Sequence, residues 1–182
     1  MKNPKILSAQ QAVAIVNSGN RIFIQGAAMT PIKLIDALCE RYNELSDVEI
    51  LQIHTEGNAK YTEEPYSKAF NINSCFVAGN VRSAVNSNKG AYIPIFLSEI
   101  HNLFRRNLLP LDVAFIQVSP PDKHGYCSLG TSVDITLPAI QTAKKVIAQI
   151  NPKVPRTHGD GIIHISQIDA AIEVDEPIFA TS

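Results

Sequence analysis

Apolar and polar positions change period along the chain, and each change marks an element. Ser8 stands before AQQAVAIVNSG, where Ala12, Val13, Ile15 and Val16 fall at helical spacing and Gly19 supplies a stop. This pattern predicts a capped amphipathic helix. RIFIQG follows as a short strand. Beyond AAMT, Thr30 is placed to cap a second helix with Pro31 in its first turn, its apolar face formed by Ile32, Leu34, Ile35, Leu38 and Cys39. Further strands are expected at DVEILQIH, NSCFVAG, DVAFIQVS and KKVIAQIN, with helices at NVRSAVNSN, PIFLSEIHNLFRR and DITLPAIQTA.

Strands alternating with helices predict an α/β fold with an open, mostly parallel sheet. The runs FVA, VAFIQV and VIAQI lack polar alternation, as strands do when helices cover both faces. The last third differs. NPKVPRTHGDG is rich in Pro, Gly and polar residues, and IIHISQID and AAIEVDEPI then read as strands with no helix between them, an extra C-terminal strand hairpin or edge extension. The chain stops at FATS, directly after a strand, an unusual place for a doubly wound sheet to end.

Composition narrows the function classes. A length of 182 residues fits one domain, and 45% hydrophobic against 18% charged residues excludes disorder. Lys+Arg 16 against Asp+Glu 17 gives a formal net charge of −1, with no run of like charges, so a nucleic-acid footprint is absent. Cys39, Cys75 and Cys127 are an odd set without a CxxC pair, which fits a reducing compartment, with the cytoplasm as the expectation. No apolar stretch approaches the roughly 18 residues of a membrane span, and the N-terminus lacks a secretory pattern, so no membrane partner is expected.

Candidate chemistry lies at strand ends. The loop QGAAMT (Gln25, Gly26, Ala27, Ala28, Met29, Thr30) sits where parallel sheets hold ligands, and its backbone amides suit an anion. It matches neither GxGxxG nor GxxxxGK[ST], so a plain tight turn and a ligand loop both stand. His54, Thr55, Glu56 and Gly57 follow another strand, where a carboxylate can serve acid-base chemistry or simply be a solvated loop residue. Asn80 is placed to cap a short helix, and Arg82 in its first turn reads either as an anion contact or as a surface residue. In VSPPDKHGYCSLG, His124 and Cys127 raise a thiol nucleophile, against which Pro120, Pro121 and Gly125 argue for a rigid bend and Cys127 for an inward strand position. His158, Asp160 and His164 match no metal-ligand spacing, and Gly159 and Gly161 suit a turn. No metal is expected. Cys39 and Cys75 read as small core residues and Met29 as a gap-filler.

Four runs together, FVAGNVRSAVN, YIPIFLSEI, DVAFIQVSPPDKHGYCSLGTSVD and INPKVPRTHGDGIIHISQID, resemble the amino-terminal half of the acetyl-CoA hydrolase/transferase family, a group that includes 4-hydroxybutyrate CoA-transferase. The similarity runs from the first helix to Glu176, and VSPPDKHGYCSLGTSVD is its most specific piece. His101 stands where the family usually has Pro, and Ser87 to Gly90 are less typical.

The resemblance implies two similar open α/β halves with the active site between them. Residues 1–182 would be the N-terminal domain and the C-terminal catalytic domain would lie outside this sequence. Family members move coenzyme A between carboxylic acids through an acyl-glutamyl anhydride and a glutamyl-CoA thioester formed on the second half. No catalytic residue is therefore carried over, and Glu56, Glu63, Glu64 and Glu99 are not the nucleophile. Substrate-binding candidates are Gln25, Gly26, Ala27, Ala28, Met29, Glu56, Gly57, Asn80 and Arg82, with no bound cofactor and a coenzyme A thioester as substrate. Expected partners are acyl-CoA, short unbranched carboxylic acids, the C-terminal half or a partner subunit, and a second copy of the chain. The chain alone is expected to be inactive. An acyl-CoA hydrolase half and a non-catalytic small-ligand module, the latter in a fold like that of the sugar-phosphate isomerases, are the competing readings.

Overall fold

The computed structural model describes residues 3–180; Met1, Lys2, Thr181 and Ser182, and with them the expected chain end, lie outside the described residues. In chain order the elements are β1 (Lys5–Ile6), α1 (Ala9–Val13), β2 (Arg21–Ile24), α2 (Ile32–Cys39), β3 (Val48–Gln52), β4 (Phe70–Ser74), α3 (Gly79–Asn86), β5 (Gly90–Tyr92), α4 (Ile100–Arg105), β6 (Val113–Val118), β7 (Tyr126–Ser128), α5 (Thr136–Thr142), β8 (Lys145–Ile150), β9 (Ile162–His164) and β10 (Ala170–Glu173). Eight strands form one sheet in the order β1-β10-β8-β6-β2-β3-β4-β5, with every pairing parallel.

Both faces are covered, as the apolar strands require. Ile22, Ile24, Val48, Ile50, Phe115 and Ile147 pack under α1, α2 and α3. Phe23, Leu51, Ala114, Ile116, Val118 and Ala148 pack under α4, α5 and the β7-β9 ribbon. The C-terminal extension is present in a different pairing from a local hairpin. β9 pairs antiparallel with β7, far back in sequence, while β10 joins the main sheet beside β8. A parallel partner was open at the β8 edge, and Ala170, Ala171 and Ile172 are buried there.

Several boundaries differ from the sequence reading. β4 is FNINS, upstream of the expected NSCFVAG, because the register Val48↔Phe70 to Gln52↔Ser74 buries Phe70, Ile72 and Ser74 on one face. The apolar run FVA is loop, with Phe76 59% exposed. β5 was not expected at all. α1 begins with the Ser8/Gln11 capping box but ends at Val13, where Arg41 Nη1 donates to the carbonyls of Val13 (2.6 Å) and Val16 (2.9 Å). Pro31, rather than Thr30, occupies the cap position of α2, whose side-chain cap is absent. The helix expected from Pro94 begins as a 3₁₀ turn at Leu97–Glu99.

A buried amide ladder crosses the carboxyl ends of β2, β6 and β8. Gln25 Oε1 accepts the Gln117 N–H (2.7 Å), and Gln25 Nε2 donates to the carbonyls of Leu129 (3.2 Å) and Ser132 (2.9 Å). Gln117 Oε1 accepts from Gln149 Nε2 (2.8 Å) and Asn151 Nδ2 (3.0 Å), and Gln149 Oε1 accepts the Lys33 N–H (3.1 Å) at the start of α2. Buried amides are tolerated because they are partnered.

At the opposite end, Asp112 joins the starts of three strands. Its Oδ2 accepts the Arg21 N–H (2.8 Å) and its Oδ1 the Lys144 ammonium (2.7 Å). Burial alone would raise its pKa, but Lys144 and the Arg21 N–H together outweigh that and hold it below the usual carboxylate value.

Two outcomes follow. Gln25→Leu strands the Gln117 N–H and two carbonyls, so urea unfolding should show a loss of about 3 kcal/mol, against about 0.5 kcal/mol or less for Arg82→Ala. Asp112 contributes stability that is present above its unfolded pKa of about 3.9 and lost as pH falls through the lower folded value. Asp112→Asn should flatten that part of the acid-unfolding curve.

Candidate functional site

From β2 the chain winds outward through β3, β4 and β5, then returns to the other side of β2 with β6. The strand order reverses between β2 and β6, and the crevice outside their carboxyl ends is where such sheets hold ligands. The loop after β2 occupies this place. A Cβ on Gly26 would overlap the His54 carbonyl oxygen, so only glycine lets the two backbones meet. That approach allows the Ala27 N–H to reach His54 O (3.0 Å) and sets a parallel bridge between Ala27 and Thr55.

The second loop is tied to the first. The Thr30 hydroxyl donates to Ala27 O (2.8 Å) and accepts the Glu56 N–H (2.9 Å). Asn80 Nδ2 donates to the carbonyls of Thr55 (2.8 Å) and Gly57 (3.1 Å) from the first turn of α3. Tyr61, fully buried, donates to Gln52 Oε1 (2.9 Å) and pairs with the Thr55 hydroxyl (2.9 Å), and burial pushes its phenol well above the usual value. Glu56 is thus fixed by its backbone, while its half-buried carboxylate has no hydrogen bond or ion pair among the described residues. In the first loop, the N–H groups of Ala27, Met29 and Thr30 bond within the protein, whereas that of Ala28 has no partner among the described residues.

The structure therefore brings Gly26, Ala27, Ala28, Glu56, Gly57 and Asn80 to one crevice. Gln25 lies beneath it with its amide fully engaged in the ladder, and Met29 is buried against Gly130. Arg82 is exposed on a shallow surface with Gly79, Ser83, Asn86 and Ser87, apart from the crevice residues. Thr30, Thr55 and Tyr61 position Glu56; sequence reasoning named the two threonines only as loop residues without this task and did not single out Tyr61. Thr30 read as a helix cap, and Thr55 only as a neighbour of Glu56.

The motif VSPPDKHGYCSLG serves the scaffold. Asp122 Oδ1 accepts the N–H groups of His124 (2.8 Å) and Tyr126 (2.9 Å), and its other oxygen meets Arg156 (2.8 Å). Ser128 Oγ accepts the N–H groups of Gly130 (3.1 Å) and Thr157 (3.0 Å), which sets the loop that receives Gln25. His124 is exposed and makes no hydrogen bond to the buried Cys127. Burial pushes the thiols of Cys127 and Cys75 up to about 11 and that of Cys39 up to about 12, so all three are protonated at neutral pH and poor nucleophiles. His158 and Asp160 are exposed, and His164 Nδ1 pairs with Ser166 Oγ (2.7 Å). Among the described residues, no three His, Cys, Asp or Glu side chains gather as metal ligands, and no helix is long and apolar enough to cross a membrane.

A further cavity of about 410 Å³ lies on the α4 side, at the ends of β3 and β4 and beside β5. Ile53, His54, Cys75, Phe76, Tyr92 and Ile95 are among its walls. Nothing in the sequence announced it, since PIFLSEIHNLFRR read as one helix, whereas Pro94, Ile95 and Phe96 precede the 3₁₀ turn and leave Ile95 free to line the wall.

The model for the acetyl-CoA hydrolase/transferase N-terminal domain matches residues 3–181. The 4-hydroxybutyrate coenzyme A transferase of Clostridium kluyveri is 41% identical over 174 residues, covering 96% of this chain and 41% of that protein. The succinyl-CoA:acetate/propanoyl-CoA:succinate CoA transferase of Fasciola hepatica is 43% identical over 163 residues, covering 88% and 34%. Among solved structures, a 4-hydroxybutyrate CoA-transferase from Porphyromonas gingivalis superposes with a TM-score of 0.82 at 29% identity, over 97% of this chain and 41% of that one. The chain spans about two-fifths of the length of such relatives.

Thr30→Val removes the acceptor of the Glu56 N–H and the donor to Ala27 O. Its expected cost is about 1–3 kcal/mol, with faster hydrogen exchange at the Glu56 amide and unchanged exchange in β8. Equal exchange at Glu56 in both proteins would remove the positioning role of Thr30.

Proposed function

Because the chain belongs to the acetyl-CoA hydrolase/transferase family, we propose that residues 1–182 form the amino-terminal domain of a CoA-transferase acting on short-chain carboxylic acids. The observation that carries this reading is the crevice at the switch point, where a free Glu56 carboxylate and an unpartnered Ala28 N–H stand on loops locked together by Gly26, Thr30 and Asn80. Rigid loops of this kind hold a reacting group in place.

In the proposed reaction, a glutamate on a second domain attacks the acyl-CoA thioester and releases the coenzyme A thiolate. The thiolate then attacks the resulting anhydride at the glutamyl carbon, freeing the carboxylic acid and leaving glutamyl-CoA. An acceptor carboxylate reverses the sequence, and its own acyl-CoA leaves. This chain supplies the wall that shields the anhydride from water. Gly26 to Met29 and Gly57 border the acyl group, Asn80 fixes the Glu56 loop, and Gln25 shapes the floor. Arg82 is left to the surface. Three free, buried cysteines support a reducing, cytoplasmic setting. Exposed Phe76, Tyr92, Phe96 and Leu97 support association with a second domain or a second copy.

The test joins residues 1–182 to the remainder of the encoding frame and supplies butyryl-CoA with ¹³C-acetate. Mass spectrometry should find ¹³C-acetyl-CoA, while residues 1–182 alone should give none. Release of free coenzyme A at the same rate without acceptor acid would identify a hydrolase instead. Glu56→Gln in the joined protein should lower kcat/KM by about 10²-fold, the scale of one positioned carboxylate.

A further inference from the structure

We infer that the apolar cavity beside α4 receives the hydrocarbon tail of the carboxylic acid and selects monocarboxylic acids over dicarboxylic ones. This deepens the CoA-transfer reading and rests on it for the location of the reacting carboxyl group. At about 410 Å³ the cavity has the size of a small-ligand site, and its wall is mainly apolar. Phe76 and Leu97, 59% and 66% exposed, stand at its mouth, the Phe76 ring edge-on to that of His54 at 6.3 Å.

One residue connects the cavity to the crevice. His54 lines the cavity, its ring beside that of Phe76 in the same wall, and its carbonyl is the oxygen that Gly26 abuts and the Ala27 N–H holds at 3.0 Å. A carboxyl group at the QGAAMT loop therefore has an apolar recess within one residue of it. Among the described residues, no Lys or Arg lines the recess, and its one carboxylate is Asp134. Asp134 Oδ1 is held by the Ile135 N–H (2.5 Å) and the Thr136 hydroxyl (3.2 Å), so it is fixed in place. A second carboxylate entering here would lose water, find no guanidinium or ammonium partner and face Asp134. A methylene tail meets neither cost.

The experiment titrates the chain, ¹³C-labelled at isoleucine δ1 methyls, with propionate, butyrate, valerate and succinate. Saturable shifts are expected at Ile53, Ile95 and Ile100, with affinity rising about fourfold for each added methylene, and with no response to succinate. Asp134→Asn keeps the Oδ1 acceptor and should make succinate shift the same methyls. The methyl spectrum itself reports whether the variant is folded, and the wild-type series decides the question without it. Absence of shifts, shifts confined to other methyls, or equal response to succinate and butyrate overturns the inference. None of these outcomes touches ¹³C-acetyl-CoA formation by the joined protein, so the two readings fail separately.

Discussion

The hydrogen bond from the Gln117 N–H to Gln25 Oε1 is the contact on which the rest of the crevice depends. It is buried, so neither group has water as an alternative, and it ties β2 to β6 where their loops diverge. The other half of the same amide reaches the Leu129 and Ser132 carbonyls, which brings the loop after β7 against the sheet. Through Gln117 and Gln149 the same chain of amides ends on the Lys33 N–H of α2. One glutamine thus sets a strand pair, a loop and, through two others, a helix. An anion site built on the first turn of α2 would compete with Gln149, which places the available amide in the loop, at Ala28, rather than in the helix.

Much of this was legible in the sequence wherever burial was uniform. VAFIQV and VIAQI became β6 and β8 because an apolar run between turn signals has few other places to go. The reading failed where partners far away decide. FNINS alternates polar and apolar and looks weak by itself, yet β3 presents a complementary register; FVA looks strong and has no neighbour to pair with. Likewise IIHISQID and AAIEVDEPI were both strands, but only the fold could show that one answers to Tyr126–Ser128 and the other to β8.

The site divides in the same way. Gly26, Glu56 and Asn80 announced themselves by residue type at a strand end or a helix start. Thr30 and Tyr61 did not, since a hydroxyl that locks two backbones has no local pattern. Gln25 was legible as important, and its task turned out to be internal. The most specific motif of the chain, VSPPDKHGYCSLG, holds its turn through Asp122 and Ser128 rather than through its histidine or its thiol.

The close approach of Gly26 to His54 has a further meaning for diversity among proteins built this way. At Gly26 the two loops meet through main-chain atoms, and the one hydroxyl that braces them, that of Thr30, also bonds to main-chain groups on both sides, so the floor of the crevice is set largely by backbone. Residues of the neighbouring cavity, such as Phe76 or Leu97, are free to vary in size without shifting the point where the two backbones touch. A scaffold of this type can change what borders the crevice by small steps, because the part that sets geometry and the part that varies belong to different atoms.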